Sequence, residues 1–217
     1  MKSRVFISET IGHVSTITEV PSSPLAVMVL AHGAGAGMEH RFMENLAIAL
    51  KEQSIASVRF NFPFVEKGSR RPDVSAVAEK TVDVILSYVQ KEFAGTPVFL
   101  SGKSFGGRMS SQYFSKKQPS GVAGIIFYGF PLHPAGQPGT QRADHLRSIA
   151  IPMLFLQGTR DALADLTLIE NVCKGLPSAT LIKFDGADHS FKIKKNEITD
   201  ELATQTAQWT RGVLLKQ

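Results

Sequence analysis

A chain of 217 residues with a single cysteine, Cys173, has the length of one domain and can neither close an internal disulfide nor assemble a cysteine-based zinc site. Its 43% apolar and 20% charged composition excludes the disordered, collagen and coiled-coil classes, and surface scaling gives roughly 9,800 Å² folded against about 34,000 Å² unfolded, enough burial for a full core. The net charge of +5 has one dense run behind it, Lys192, Lys194 and Lys195, with no basic stripe interleaved with aromatics, so no nucleic-acid partner is expected.

In chain order, Arg4–Ser8 and His13–Glu19 about Gly12 predict an opening antiparallel hairpin. Ser8, Glu9 and Thr10 break up any apolar stretch that would follow Lys2 and Arg4, so no signal peptide is read and a cytoplasmic location is expected. Five continuous apolar runs come next, Leu25–Ala31, Ile55–Phe60, Pro97–Leu100, Val122–Tyr128 and Pro152–Leu156. Unbroken apolarity of this length predicts strands covered on both faces and falls far short of a membrane span. The more polar Ala179–Phe184 predicts a last strand at a sheet edge.

Apolar residues at three-to-four spacing predict helices over Glu39–Gln53, Val74–Phe93, Ser104–Lys117, Ala162–Lys174 and Asn196–Leu215. Pro131–Ala150 reads as a loop with one turn of helix. Strands alternating with helices, without repeats or a linker, predict an α/β fold with a largely parallel sheet in one domain spanning 1–217.

The most informative residues are Gly102-Lys103-Ser104-Phe105-Gly106, a G-x-S-x-G between a predicted strand and a predicted helix. At such an elbow the serine projects from a strained turn whose neighbours approach closely, so only small residues fit two positions before and after it. The bland account is a tight turn with a capping serine. Gly102-Lys103-Ser104 also ends like a P-loop, but that motif needs glycine at position 97, where Pro97 stands.

A second constellation, His32-Gly33-Ala34-Gly35-Ala36-Gly37, follows an earlier strand. A dinucleotide fingerprint would need glycine at position 38 or 40, where Met38 and His40 stand. That leaves an NADP reading, with Arg59 meeting the phosphate, beside an H-G-x-G oxyanion loop. In the latter, the better reading, Ala34 N–H and Phe105 N–H converge on one oxygen.

A serine nucleophile needs a base, and the base needs a group to hold its tautomer. Of the six histidines, His189 follows the last predicted strand. Asp161 follows Pro152–Leu156, although an aspartate there also suits a helix N-cap. Asp165 is the poorer acid, since it is expected a turn into the helix. The order Ser104, Asp161, His189 is that of an α/β-hydrolase, and each residue sits on a loop at a strand's carboxyl end.

These motifs, with Gly158-Thr159-Arg160-Asp161 and Gly186-Ala187-Asp188-His189-Ser190-Phe191, resemble the α/β-hydrolase superfamily over most of the chain, on its dienelactone-hydrolase-like, serine-esterase side. Dienelactone hydrolases proper carry cysteine as nucleophile; position 104 is serine. More narrowly, Arg59-Phe60-Asn61-Phe62-Pro63-Phe64 with Arg70-Arg71-Pro72-Asp73 resembles the branch that contains a testis-expressed protein and a chromatin acetyltransferase-complex subunit. The resemblance implies an eight-stranded sheet ordered 1-2-4-3-5-6-7-8 with the second strand antiparallel, helices on both faces and a minimal cap. It also implies attack on an ester, thioester or amide carbonyl of a small acyl substrate, with no metal or organic cofactor needed. Because the narrower branch includes scaffold subunits, a noncatalytic interaction module on the same fold is the alternative. Arg59, Arg70 and Arg71 are candidates for pairing a substrate carboxylate or phosphate, while Phe62, Phe64, Phe127, Tyr128 and Phe130 are expected to be core.

Overall fold

The structure is a computed structural model describing residues 1–216, and its accessible surface of 10062 Å² agrees with the value scaled from chain mass. Strands β1 (Lys2–Ser8), β2 (Gly12–Glu19), β3 (Ala26–Ala31), β4 (Ile55–Phe60), β5 (Val98–Lys103), β6 (Val122–Tyr128), β7 (Met153–Gly158) and β8 (Ala179–Phe184) form one sheet. Its order is β1-β2-β4-β3-β5-β6-β7-β8. Strand β2 is antiparallel to both neighbours and the remaining pairs are parallel. This is the eight-stranded α/β-hydrolase arrangement, with β8 at an edge as its mixed pattern predicts.

Alternation along the strands supplies both faces. Val27, Val29 and Ala31 of β3 enter the core beneath α3 (Ser75–Glu92), α4 (Phe105–Lys117) and α5 (Leu166–Lys174). Ala26, Met28 and Leu30 enter the core beneath α1 (Arg41–Glu52) and α6 (Thr199–Leu214). Period-two patterning on a sheet with two covered faces requires apolar residues at every position, which is why β3, β4, β6 and β7 are buried throughout. The five phenylalanine and tyrosine residues expected in the core are all buried there.

The main differences from expectation are two helix starts and two short elements. Helix α5 begins at Leu166, because Asp165 caps it, accepting from Leu168 N at 3.0 Å; the segment from Asp161 is a turn, and Asp165 is not inside the helix. Helix α6 begins at Thr199, because Lys192–Ile193 (β9) pairs with Asn196–Glu197 (β10) in a small hairpin, its turn made by Lys194 at φ +58°. The dense lysine run is the exposed part of that hairpin. Between β6 and β7 an eight-residue 3-10 helix, Gln141–Ser148, replaces the single expected turn, and a short α2 (Pro63–Glu66) follows β4. Among the described residues, no larger insertion follows a strand at the carboxyl edge of the sheet. Among the described residues, no helix is long and apolar enough to cross a membrane.

Candidate active site

Ser104 is the single residue between β5 and α4, at φ +49° and ψ −114°. A non-glycine residue in this region costs about 1–3 kcal/mol and persists only where its surroundings enforce it. The surroundings here are backbone. A Cβ on Gly102 would lie 2.5 Å from Gly107 N, and one on Gly106 would lie 2.5 Å from Ala31 O. Both glycines of the motif are therefore required by close packing of the elbow against α4 and β3.

The three residues predicted from chain order meet. His189 Nε2 lies 2.9 Å from Ser104 Oγ, and His189 Nδ1 lies 2.7 Å from Asp161 Oδ2. The Asp161 side chain is 1% exposed and that of His189 24%, so the carboxylate is sealed while the imidazole borders the cleft. Asp161 serves no helix cap. Its Oδ1 accepts from Leu163 N at 2.7 Å, and its Oδ2 also accepts from Gln157 Nε2 at 2.6 Å. A buried carboxylate requires this saturation.

The glycine loop after β3 sits directly opposite, since a Cβ on Gly33 would lie 3.7 Å from that of Ser104. Ala34 N–H and Phe105 N–H, the predicted oxyanion donors, have no acceptor among the described residues. Phe105 N–H is the first of helix α4 and so carries the positive end of its dipole. Ala34, Ala36, Phe42, Met43 and Leu163 line a cleft of about 330 Å³ together with Ser104 and His189. A larger groove of about 790 Å³ between the 3-10 helix and α5 contains none of these residues.

Both nitrogens of the His32 ring are engaged. Phe62 N–H donates to Nε2 at 3.0 Å, which leaves the proton on Nδ1 to donate to Gly33 O at 2.7 Å. The ring thus fixes the loop that presents Ala34. Burial holds this imidazole down to about 4 from the usual 6.5. The unfolded chain takes up the proton near pH 6.5 and the folded chain only near 4, so stability is full above 6.5 and falls as pH drops between those values. The expected slope is about 1.4 kcal/mol per pH unit for this residue, with His145, held to about 4 by burial and Arg108, adding to it. Urea unfolding at about pH 7 and about pH 5 checks the sign: the midpoint falls at the lower pH, and an unchanged or higher midpoint contradicts the assignment.

Of the predicted arginines, Arg59 does not reach the cleft. Its side chain is 4% exposed, donates to Met38 O at 2.8 Å and lies 3.7 Å from Glu19 and 4.0 Å from Glu44. With Asn61, which accepts from Met38 N at 2.9 Å, it clamps the far end of the glycine loop, so its charge is spent inside the fold. Arg70 is exposed and lines a groove beside Ala34–Gly37. Arg71 is exposed, with its N–H bonded to Ser69 Oγ, and lines neither the cleft nor that groove. The arginine-rich motif instead folds locally, Asp73 accepting from Phe64 N at 2.9 Å.

Two polar residues escaped the sequence reading. Gln157, buried in β7, donates to Asp161 and accepts from Phe130 N at 3.1 Å; a glutamine ending an apolar strand four residues before the candidate acid was the available signal. Lys103, the variable position of the elbow motif, donates to His189 O at 2.6 Å and lies 5.4 Å from the Phe191 ring centre. Desolvation lowers its ammonium to about 8 against the pull of Asp161 and Asp188. It fastens the histidine loop to β5.

The comparisons agree with the fold that carries this site. Residues 24–212 match the model of a family described as an alpha/beta hydrolase domain. An α/β serine hydrolase homologue from Coxiella burnetii superposes with a TM-score of 0.76 at 22% identity, covering 95% of this chain and 96% of that one. A lid-less α/β serine hydrolase from Xanthomonas campestris gives 0.72 at 18%, covering 100% and 94%. A dienelactone hydrolase from Anabaena variabilis gives 0.75 at 17%, covering 98% and 97%. At these identities the likeness is one of fold, and the family match, which takes in Ser104, Asp161 and His189, makes this chain a member of the α/β hydrolase domain family.

Proposed function

We propose that this protein is a serine hydrolase that cleaves a carboxylic ester through an acyl-Ser104 intermediate, with thioester and amide carbonyls open to the same chemistry. The observation that carries the reading is the unbroken chain from Ser104 Oγ through His189 to Asp161, at 2.9 and 2.7 Å. Asp161 already accepts from Leu163 N and Gln157 Nε2, so Nδ1 donates to its Oδ2 and Nε2 is left as acceptor. Nε2 takes the Ser104 proton as Oγ attacks the carbonyl, and the carbonyl π electrons move onto oxygen. Ala34 and Phe105 N–H hold that oxyanion, a donor of this kind contributing about 3–4 kcal/mol of transition-state stabilisation. Collapse expels the alkoxide, which takes the proton back from Nε2. Water then repeats the sequence, with His189 as base, to free the acid and Ser104.

Small size and an uncovered carboxyl edge suit short acyl groups delivered from solvent. The narrower resemblance belongs to this proposal too: in that branch's motif Arg59 holds the end of the glycine loop through Met38 O, and Asp73 folds the motif back on Phe64 N. A fluorophosphonate probe separates this reading from a noncatalytic module. Stoichiometric labelling of the wild type, abolished in Ser104→Ala, is expected. A folded wild-type protein that takes up no probe would falsify the hydrolase reading.

A further inference from the structure

His189 is carried on the loop between β8 and β9, and the hydrogen bonds of that loop are one-sided. Gly186 N–H donates to Thr159 Oγ1 at 2.9 Å and Arg160 N–H to Ala187 O at 2.9 Å, while Asp188 Oδ1 accepts from Ser190 N and Lys192 N at 2.8 and 3.0 Å. These bonds set the shape of the loop and its place beside Asp161, and none of them reaches the nucleophile. Among the described residues, one hydrogen bond besides the Ser104 contact itself joins the loop to the elbow: Lys103 Nζ donates to His189 O at 2.6 Å. That carbonyl has no other donor among them.

Lys103 precedes Ser104, so its backbone is fixed in β5 beside Tyr128 of β6, and its side chain borders the cleft. The ammonium lies 5.4 and 6.0 Å from the ring centres of Phe191 and Phe42. A Cβ on Gly129 would lie 3.2 Å from Lys103 Nζ and 3.5 Å from both Asp161 Oδ2 and His189 Nδ1. The ammonium is therefore packed beside the aspartate–histidine pair. Desolvation weakens a cation in such a place, lowering this one to about 8. The other groups facing it are Asp161 and Asp188, which hold its charge, and His189 and His40 on the wall of the same cleft.

Two effects of this ammonium oppose one another. Its charge disfavours the imidazolium that forms as Ser104 gives up its proton, but Asp161, bonded to the ring at 2.7 Å, offsets that charge from closer by. Its bond to the carbonyl keeps the ring 2.9 Å from Oγ, and a displacement of about 1 Å can cost on the order of 10² in rate. The bond should therefore outweigh the charge.

We propose that Lys103 is a positioning residue: its ammonium ties the histidine loop to the nucleophile elbow and holds His189 in reach of Ser104, so that turnover follows the charge of this lysine. The proposal rests on the serine-hydrolase reading and gives a role to a variable position of the G-x-S-x-G motif.

Lys103→Met keeps an unbranched stem between Phe42 and Phe191 and removes the head group. At about pH 7 it is expected to lower kcat for ethyl butyrate by about 10², with KM within about twofold, and to slow fluorophosphonate labelling of Ser104 by a similar factor. Lys103→Gln, which keeps a neutral donor, should fall between. A pH profile supplies a readout that packing alone does not move. As pH rises through about 8 the ammonium becomes an amine and its bond to His189 O loses charge assistance. The ratio of wild-type to Lys103→Met kcat, each corrected for Ser104→Ala, should then narrow several-fold between about pH 7 and about pH 9.5. Asp161, Asp188, His189 and His40 are common to both proteins and drop out of the ratio. A variant within about threefold of the wild type or faster, a ratio that stays constant with pH, or a loss confined to KM overturns the proposal. If Lys103→Met does not fold, Lys103→Gln takes its place in the same ratio. If the folded wild type shows neither turnover nor labelling, the hydrolase reading fails and the imidazole signal decides the tether by itself. A His189 Nδ1 proton resonance seen in the wild type and lost to exchange in Lys103→Met supports it, and the same behaviour in both proteins overturns it.

Discussion

Ser104→Ala is expected to lower kcat by about 10⁶ for any ester the protein turns over, and His189→Ala by a similar factor, with the double variant no worse than either. The reason is that the two side chains act as one group. Without the imidazole, Ser104 Oγ keeps its proton at neutral pH and attacks no faster than an ordinary alcohol. Without the hydroxyl, the imidazole has nothing adjacent to deprotonate except water. Residual turnover comes from the Ala34 and Phe105 N–H groups, which neither substitution removes. Single-turnover kinetics on the two single variants and the double variant check this. If the logarithms of the losses add, the residues do not work as a unit and the 2.9 Å contact is not the catalytic one. Circular dichroism and urea midpoints guard against a trivial cause, and they matter most for Ser104. An alanine keeps a Cβ in the left-handed region at φ +49°, so the strain remains and stability should change little.

Much of this arrangement is legible from residue order, because the physics that builds it is local. A parallel strand buried on both faces must be apolar at every position, and β3, β4, β6 and β7 can be read almost to the residue for that reason. The elbow is legible because the backbone packs so closely at Gly102 and Gly106 that nothing larger fits. What escaped depends on contacts between segments distant in the chain. The N-terminus of α5 was misplaced because the bond from Asp165 N to His133 Nε2, at 2.8 Å, joins two loops that no local pattern relates. The hairpin of β9 and β10 has two residues per strand, too short for any period to register. Arginine is the clearest case. A guanidinium looks the same in sequence whether it is spent on Met38 O and two glutamates, as Arg59 is, or exposed at the rim of a groove, as Arg70 is.

Asp161→Asn is expected to lower kcat by about 10⁴ while leaving the fold intact, and the hydrogen bonds around the carboxylate say why. Two donors, His189 Nδ1–H and Gln157 Nε2–H, converge on Oδ2, and a third, Leu163 N–H, meets Oδ1. An asparagine supplies one acceptor oxygen and one NH₂ donor to these two positions. With its oxygen at the Oδ2 position, the amide turns its NH₂ towards Leu163 N–H, a donor against a donor in a buried place. With its NH₂ there instead, it meets the NH₂ of Gln157 and forces His189 Nδ1 to accept. The imidazole proton then moves to Nε2, which points at Ser104 Oγ and can no longer take its proton. The second orientation keeps the backbone donor Leu163 N–H satisfied and asks only two side chains, Gln157 and His189, to readjust, so it should prevail. The His189→Ala and Asp161→Asn losses should therefore not add, because each removes the same acceptor at Nε2. Nitrogen-15 NMR of the imidazole reads the tautomer directly: a proton on Nδ1 in the wild type and on Nε2 in Asp161→Asn is expected. A variant that keeps its Nδ1 proton and its turnover would mean that another carboxylate orients His189. Among the described residues, Asp188 and Asp185 lie on the same loop region, but Asp188 Oδ1 is engaged with Ser190 N and Lys192 N and Asp185 Oδ1 with Thr159, so the orientation rests on Asp161.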